Sequence, residues 1–183
     1  MNKREAILQA ALKLLATQGV HATPMSAIAK EAGTGMGTIY NYFPKKEELI
    51  NALYVHIKEE ERHTFTALEE GKPLKTQFET YYQRAIQFYL DNPRVFQFIE
   101  QLQASPIITE ESRAIGYEVI APVLTLLEKG KEARIIKPIP TQELMQFIGG
   151  TVLSFMRLQV QEQGAKPASL DNQMRMVWDA IKE

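Results

Sequence analysis

The stretch Thr23-Pro-Met-Ser-Ala-Ile-Ala-Lys-Glu-Ala-Gly-Thr-Gly-Met-Gly-Thr-Ile-Tyr-Asn-Tyr-Phe-Pro-Lys-Lys46 decides how this chain is read. It has the form of two short helices, a tight turn between them, a proline stop and a lysine pair. Thr23 is placed to N-cap the first helix, with Pro24 at the first helical position, where a missing N–H costs nothing. Ile28, Ala29 and Ala32 form a small apolar face suited to close helix packing. Gly33 stands where a helix ends on a residue of positive φ. Thr34 can cap the second helix, whose inward residues are Ile39 and Phe43, and Pro44 ends it because the residue before a proline avoids the α region.

Helices of about two turns do not stand alone in water. The apolar spacing of Lys3 to Gln18 supplies a third helix to cover them. A packed pair with a glycine-containing turn is a helix-turn-helix, whose second helix enters the major groove of DNA. Its outward positions are Met36, Gly37, Thr38, Tyr40, Asn41 and Tyr42. Hydroxyls suit phosphates, Asn41 suits base edges, and Gly37 allows close backbone approach. Thr23 and Ser26, at the start of the first short helix, join them as candidate DNA contacts. Lys45 and Lys46 fall at the start of the next helix, where the dipole disfavours cations by roughly 0.3–1 kcal/mol each. Phosphate is the partner that offsets this; a solvated loop pair is the other reading.

From Ala27 to Leu49 the block Ala-Ile-Ala-Lys-Glu-Ala-Gly-x-x-x-Gly-Thr-Ile-Tyr-x-Tyr-Phe-x-x-Lys-Glu-Glu-Leu resembles the DNA-binding domain of TetR-family transcriptional regulators. The resemblance implies an all-α protein with a head at residues 1–48, a linking helix at 49–71 and a body at 72–183 that binds an effector and dimerises. Position 36 often carries a cation in that family, and here it is Met36.

Composition is consistent with this reading. The chain has 183 residues with 21 basic and 22 acidic side chains. Residues 1–50 hold six basic and four acidic residues, a net +2, which leaves −3 for the rest. A mildly basic head on an acidic body fits a protein that touches nucleic acid at one end. With no cysteine, thiolate metal sites and disulfides are excluded. Lys3 and Arg4 precede an apolar stretch, but Ile7, Leu8, Ala11, Leu12 and Leu15 repeat as in an amphipathic helix rather than a signal peptide. No apolar run reaches the length of a membrane span. The expectation is a cytoplasmic protein.

Beyond the head the pattern is helix after helix. A long helix starts near Lys46 and continues past His63, and Gly71-Lys72-Pro73 closes that segment. Phe78, Tyr81, Tyr82, Ala85 and Phe88 mark the next helix. Asp91-Asn92-Pro93 breaks it and opens a shorter one with Phe96, Ile99 and Leu102. After Ser105-Pro106, Thr109 with Ser112 begins a helix holding Val119, Val123 and Leu126, in which Pro122 should produce a kink. Residues 134–140 form a proline-rich crossing. Two further helices are expected at about 141–163 and 169–182. The fold class is all-α, with about nine helices.

Three further roles can be weighed. Gly149 and Gly150 inside a helix cost about 1 kcal/mol each relative to alanine, which suggests that another backbone comes close. With Met156, Met174 and Trp178 they are the candidate dimer interface, and the resemblance implies a homodimer on a roughly palindromic operator. Phe78, Tyr82, Phe88, Phe96, Tyr117, Phe147 and Phe155 are the candidate lining of the pocket that the resemblance implies for a small amphipathic or apolar effector, although aromatics at helical spacing, taken one by one, more often form a core. The implied mechanism is a repressor whose linking helix, near Leu49 to Thr66, sets an unsuitable spacing of the two heads once effector binds. His56, Glu60 and His63 share one helix face but sit among charged neighbours, and no metal or cofactor is expected. No phosphate loop, nucleophile elbow or cysteine nucleophile occurs, so an enzyme is not expected. The competing reading is an all-α ligand- or partner-binding module without a role in transcription.

Overall fold

The computed structural model describes residues 2–65, 71–102, 105–161 and 169–183. Nine helices occur among them: α1 (Lys3–Gln18), α2 (Met25–Glu31), α3 (Met36–Tyr42), α4 (Lys46–Phe65), α5 (Leu74–Asp91), α6 (Pro93–Leu102), α7 (Glu110–Glu132), α8 (Thr141–Gln161) and α9 (Leu170–Ile181). The expected breaks at Gly19, Pro44 and Ser105-Pro106 fall between helices, and Asn92 separates α5 from α6, which Pro93 opens. α7 runs through Pro122 as one helix. The expected ends at Thr66 and Gln163 lie outside the described residues.

The chain forms two compact units. The first takes the residues up to Glu60 together with Asn92–Tyr117. Its core joins Ile7, Leu8, Ala11 and Leu15 of α1 to Ile28, Ile39 and Phe43 below the turn, and to Leu49, Ile50 and Leu53 of α4, all buried. α6 packs on α1. Its residues Val95, Phe98, Ile99 and Leu102 are spaced to share one face and all are buried. At roughly 1.5–3 kcal/mol per buried side chain, this face contributes substantially to holding the unit together. Asn51 of α4 ties in the loop after α6. Its Nδ2 donates to the Ile107 carbonyl at 2.8 Å, and its Oδ1 accepts from the Thr109 amide at 3.0 Å. Thr109 then opens α7 as expected, its hydroxyl oxygen accepting from the Ser112 amide at 3.2 Å.

The second unit holds Glu61–Asp91 and Glu118–Glu183. α5 packs on α8 and α9, with Phe78, Tyr82 and Ile86 fully buried. The Phe78 ring lies 5.6 Å from Trp178 and 6.1 Å from Tyr82. The Tyr82 hydroxyl is 3.0 Å from that of Thr151, and Gln173 Nε2 donates to it at 3.3 Å. The half-buried Tyr89 donates its hydroxyl to Oε1 of the buried Glu61 at 2.9 Å. α7 ends with Arg134 in the left-handed region at φ 55°. The Ile135 amide then closes on the Gly130 carbonyl at 2.9 Å. Residues 135–137 run antiparallel to the chain end: Lys137 N–H donates to Ile181 and Glu183 N–H to Ile135, both at 2.9 Å.

Candidate nucleic-acid interface

α2 and α3 are joined by a turn whose hydrogen bonds account for its sequence. Gly33 has φ 63°, a left-handed conformation that costs glycine nothing. Its amide donates to the Lys30 carbonyl at 3.1 Å, and Thr34 N–H donates to Ala29 at 2.9 Å. This is a Schellman closure of α2. Two of the expected caps differ. Pro24 and Gly35 occupy the N-cap positions of α2 and α3, and neither helix has a side-chain cap.

α3 turns Ile39 inward, with Phe43 just beyond its end, and offers nearly everything else outward. Met36 is 40% exposed, and Tyr40 and Tyr42 are each 45% exposed. Gly37 and Asn41 are exposed and Thr38 is half-buried. A Cβ added to Gly37 would meet no protein atom within 4 Å, so its backbone is open to close approach. Ser26 is exposed on the first turn of α2, and Lys45 is exposed after Pro44. The half-buried Lys46 donates from Nζ to the His21 carbonyl at 3.4 Å. Burial holds its pKa below the ordinary lysine value, an effect that Glu47 opposes. A cation held partly desolvated is prepared to gain from a phosphate.

Thr23 does not belong to this surface. It is fully buried, and its hydroxyl donates to the Gly19 carbonyl at 2.9 Å. Its role is to lock the turn between α1 and α2.

Two residues that the sequence did not single out complete the region. The Arg4 guanidinium lies over the Phe43 ring, 5.7 Å from its centroid, which brings a cation to the end of α3. Gln101 of α6 reaches the same turn that Thr23 locks. Its Oε1 accepts from the Val20 amide at 2.9 Å, and its Nε2 donates to the Leu15 carbonyl at 3.0 Å. No local pattern reveals a contact across more than eighty residues. A glutamine in a helix whose opposite face is apolar was the only sign.

The other expected site residues separate. Phe78, Tyr82, Phe88 and Phe155 are buried in the second unit, whereas Phe96 is buried in the first. Tyr117, in the first unit, is 58% exposed, and Phe147, in the second, is 44% exposed, so neither is an interior residue. Among the expected dimer residues, Met156 and Trp178 are buried within the second unit. Gly149 and Met174 are half-buried and Gly150 is exposed. His56 pairs with Glu60 at 3.4 Å, and the side chain of His63 lies outside the described part. Among the described residues no group of three His, Cys, Asp or Glu could hold a metal ion. No described helix is long and apolar enough to cross a membrane.

A helix pair closed by a left-handed glycine, with the second helix presented outward and cations at its margin, defines a helix-turn-helix DNA-binding protein. Residues 7–53 match the family model of bacterial regulatory proteins of the tetR family, and residues 73–182 match that of the tetracycline-repressor-like C-terminal domain. The chain belongs to the TetR family of transcriptional regulators. It is 27% identical over 159 residues to the uncharacterized HTH-type regulator YhgD of Bacillus subtilis, covering 81% of this chain and 78% of that one. A putative tetR family regulator from Shewanella sp. PV-4 superposes over the whole of both chains with a TM-score of 0.88 at 25% identity. The fold is also that of FadR from Bacillus subtilis in complex with stearoyl-CoA, with a TM-score of 0.73 at 21% identity over 96% of this chain and 95% of that one.

Proposed function

We propose that the protein is a homodimeric repressor that holds a roughly palindromic operator with two copies of α3 and leaves it when a small amphipathic or apolar effector binds the second unit. The observation that carries the DNA contact is the outward face of α3, formed by Met36, Gly37, Thr38, Tyr40 and Asn41. Ser26, Tyr42, Lys45 and Lys46 take the phosphates in this reading, with Arg4 added by its position over Phe43.

Support for a dimer comes from α8. Phe147, Gly150, Ser154 and Leu158 are exposed at helical spacing, while Leu144, Ile148, Val152, Phe155 and Met156 are buried on the other side. A Cβ at Gly149 or Gly150 would meet nothing within 4 Å among the described residues, so packing among them does not call for glycine at either position. Their cost of about 1 kcal/mol each is offset if a second backbone crosses there. Met176 of α9, 61% exposed, adds to the apolar surface available for such pairing.

Release requires the effector to bind the two states of the protein differently. α4 and α7 each begin in the first unit and end in the second. Stearoyl-CoA, bound by a protein that shares the fold, is a reasonable first probe in an effector screen. In this reading the protein works in the cytoplasm, where its operator would be.

Footprinting tests this function together with sedimentation. The expected result is one protected site with two-fold symmetry, bound by a protein that sediments as a dimer. Phe147→Glu should yield monomers that lose most operator affinity. A Phe147→Glu protein that still sediments as a dimer would place the interface elsewhere.

A further inference from the structure

The recognition helix carries no cation. Met36–Tyr42 reads Met-Gly-Thr-Ile-Tyr-Asn-Tyr, and only Ile39 is withdrawn into the core. What remains for the groove is a thioether, hydroxyls, one carboxamide and aromatic rings. In the major groove guanine presents two acceptors, O6 and N7, and its usual specific partner is a bidentate arginine or lysine. α3 has neither. The cations of the region lie off this helix: Lys45 and Lys46 follow Pro44, and Lys46 is directed to the His21 carbonyl. Lys30 is in the last turn of α2. Lys13 is paired with Glu31 at 2.5 Å, and Arg4 lies over Phe43.

The groups that α3 does offer have complements of their own. The Asn41 carboxamide matches N6 and N7 of adenine. The only apolar group in the major groove is the thymine methyl. Met36 stands at the first position of α3, and the N-terminal residues of a recognition helix are those that meet base edges. Tyr40 follows it by one turn, so the two exposed side chains stand on the same side of the helix. A hydroxyl of Thr38 or Tyr40 donating to a purine N7 does not distinguish guanine from adenine, since both present that acceptor.

We propose that α3 reads an operator half-site whose core is A·T, with Met36 and Tyr40 against thymine methyls and Asn41 on adenine, and without an arginine– or lysine–guanine contact. This rests on the operator-binding reading above. It assigns Met36, at the place where a cation would select guanine, as a specificity-determining residue.

The test is selection of bound duplexes from a random library by the full-length protein, in parallel for the parent, Met36→Ala and Met36→Arg. Met36 is exposed, so both variants should melt with the parent, and that is checked first. The parent should enrich half-sites with an A·T core. Met36→Ala should reduce the preference for thymine, by about fourfold, at one position per half-site. Met36→Arg should replace thymine by guanine at that same position. Enrichment by the parent of G·C at the position that responds to residue 36 overturns the inference while leaving the regulator reading intact. So does a position-by-position preference that neither substitution changes. If the parent enriches no sequence, operator binding itself is overturned, and this inference with it.

Discussion

Gln101→Ala tests whether α6 holds the DNA-binding helices in place. In the parent, Gln101 gives the Val20 amide its acceptor at 2.9 Å and the Leu15 carbonyl a donor at 3.0 Å. Truncation affects the two groups differently. Leu15 O keeps the Gly19 amide at 3.1 Å, so its loss is that of one ordinary hydrogen bond, about 0.5–1 kcal/mol. Val20 is buried and its N–H would be left without an acceptor, a penalty of about 1–3 kcal/mol. The side chain of Gln101 is itself on the exposed side of α6, so water can partly replace it, and a combined loss of about 1.5–3 kcal/mol follows. With a urea m-value of about 2 kcal/mol/M, the midpoint of the first unit should fall by roughly 1 M. Hydrogen exchange gives the local reading: the Val20 amide should lose protection, as should its neighbours in the turn that leads into α2. Operator affinity should fall with them. Gln101→Glu retains the acceptor and should lose the smaller share. A folded Gln101→Ala protein with an unchanged midpoint and an unchanged Val20 exchange rate would refute the reasoning.

Lys46→Ala should weaken binding to all DNA sequences alike and reduce the salt slope of log K by about one, which a titration at several salt concentrations measures. Tyr81 is buried beside Glu61, and both effects raise its phenol pKa above the ordinary value of 10.0. The folded state therefore keeps a proton that the unfolded state releases, and stability should fall as pH rises above about 10. Tyr81→Phe should make the urea midpoint less sensitive to pH between 9 and 11. At the end of α7, Arg134 has φ 55°, a conformation that costs a non-glycine residue about 1 kcal/mol. Arg134→Gly should raise the melting temperature slightly, and a lowered one would show that its side chain contributes more than its backbone costs.

The helix-turn-helix was legible because its signals are local. Gly33 must take a positive φ and Pro44 must stop a helix, and both act within a few residues of themselves. The outward set on α3 followed from Ile39 and Phe43 being four apart. Thr23 was misread because a buried hydroxyl in a turn and an exposed N-cap use the same residue before the same proline. α6 shows the limit of periodicity. The stripe Val95, Phe98, Ile99 and Leu102 says that a face is buried, but not that α1 covers it. In α8, apolar residues occur on both sides, so sequence alone did not separate the buried Met156 from the exposed Phe147. Phe155 and Phe147 were assigned together for the same reason, and only one of them is in the interior.

The most direct test of the account is binding of the purified protein to the DNA upstream of its own gene, at several salt concentrations and against a random duplex of equal length. The account predicts preferential, salt-dependent retention of the upstream DNA and a footprint with two related half-sites. Equal affinity for both duplexes, extending to a genome-wide selection, would contradict it.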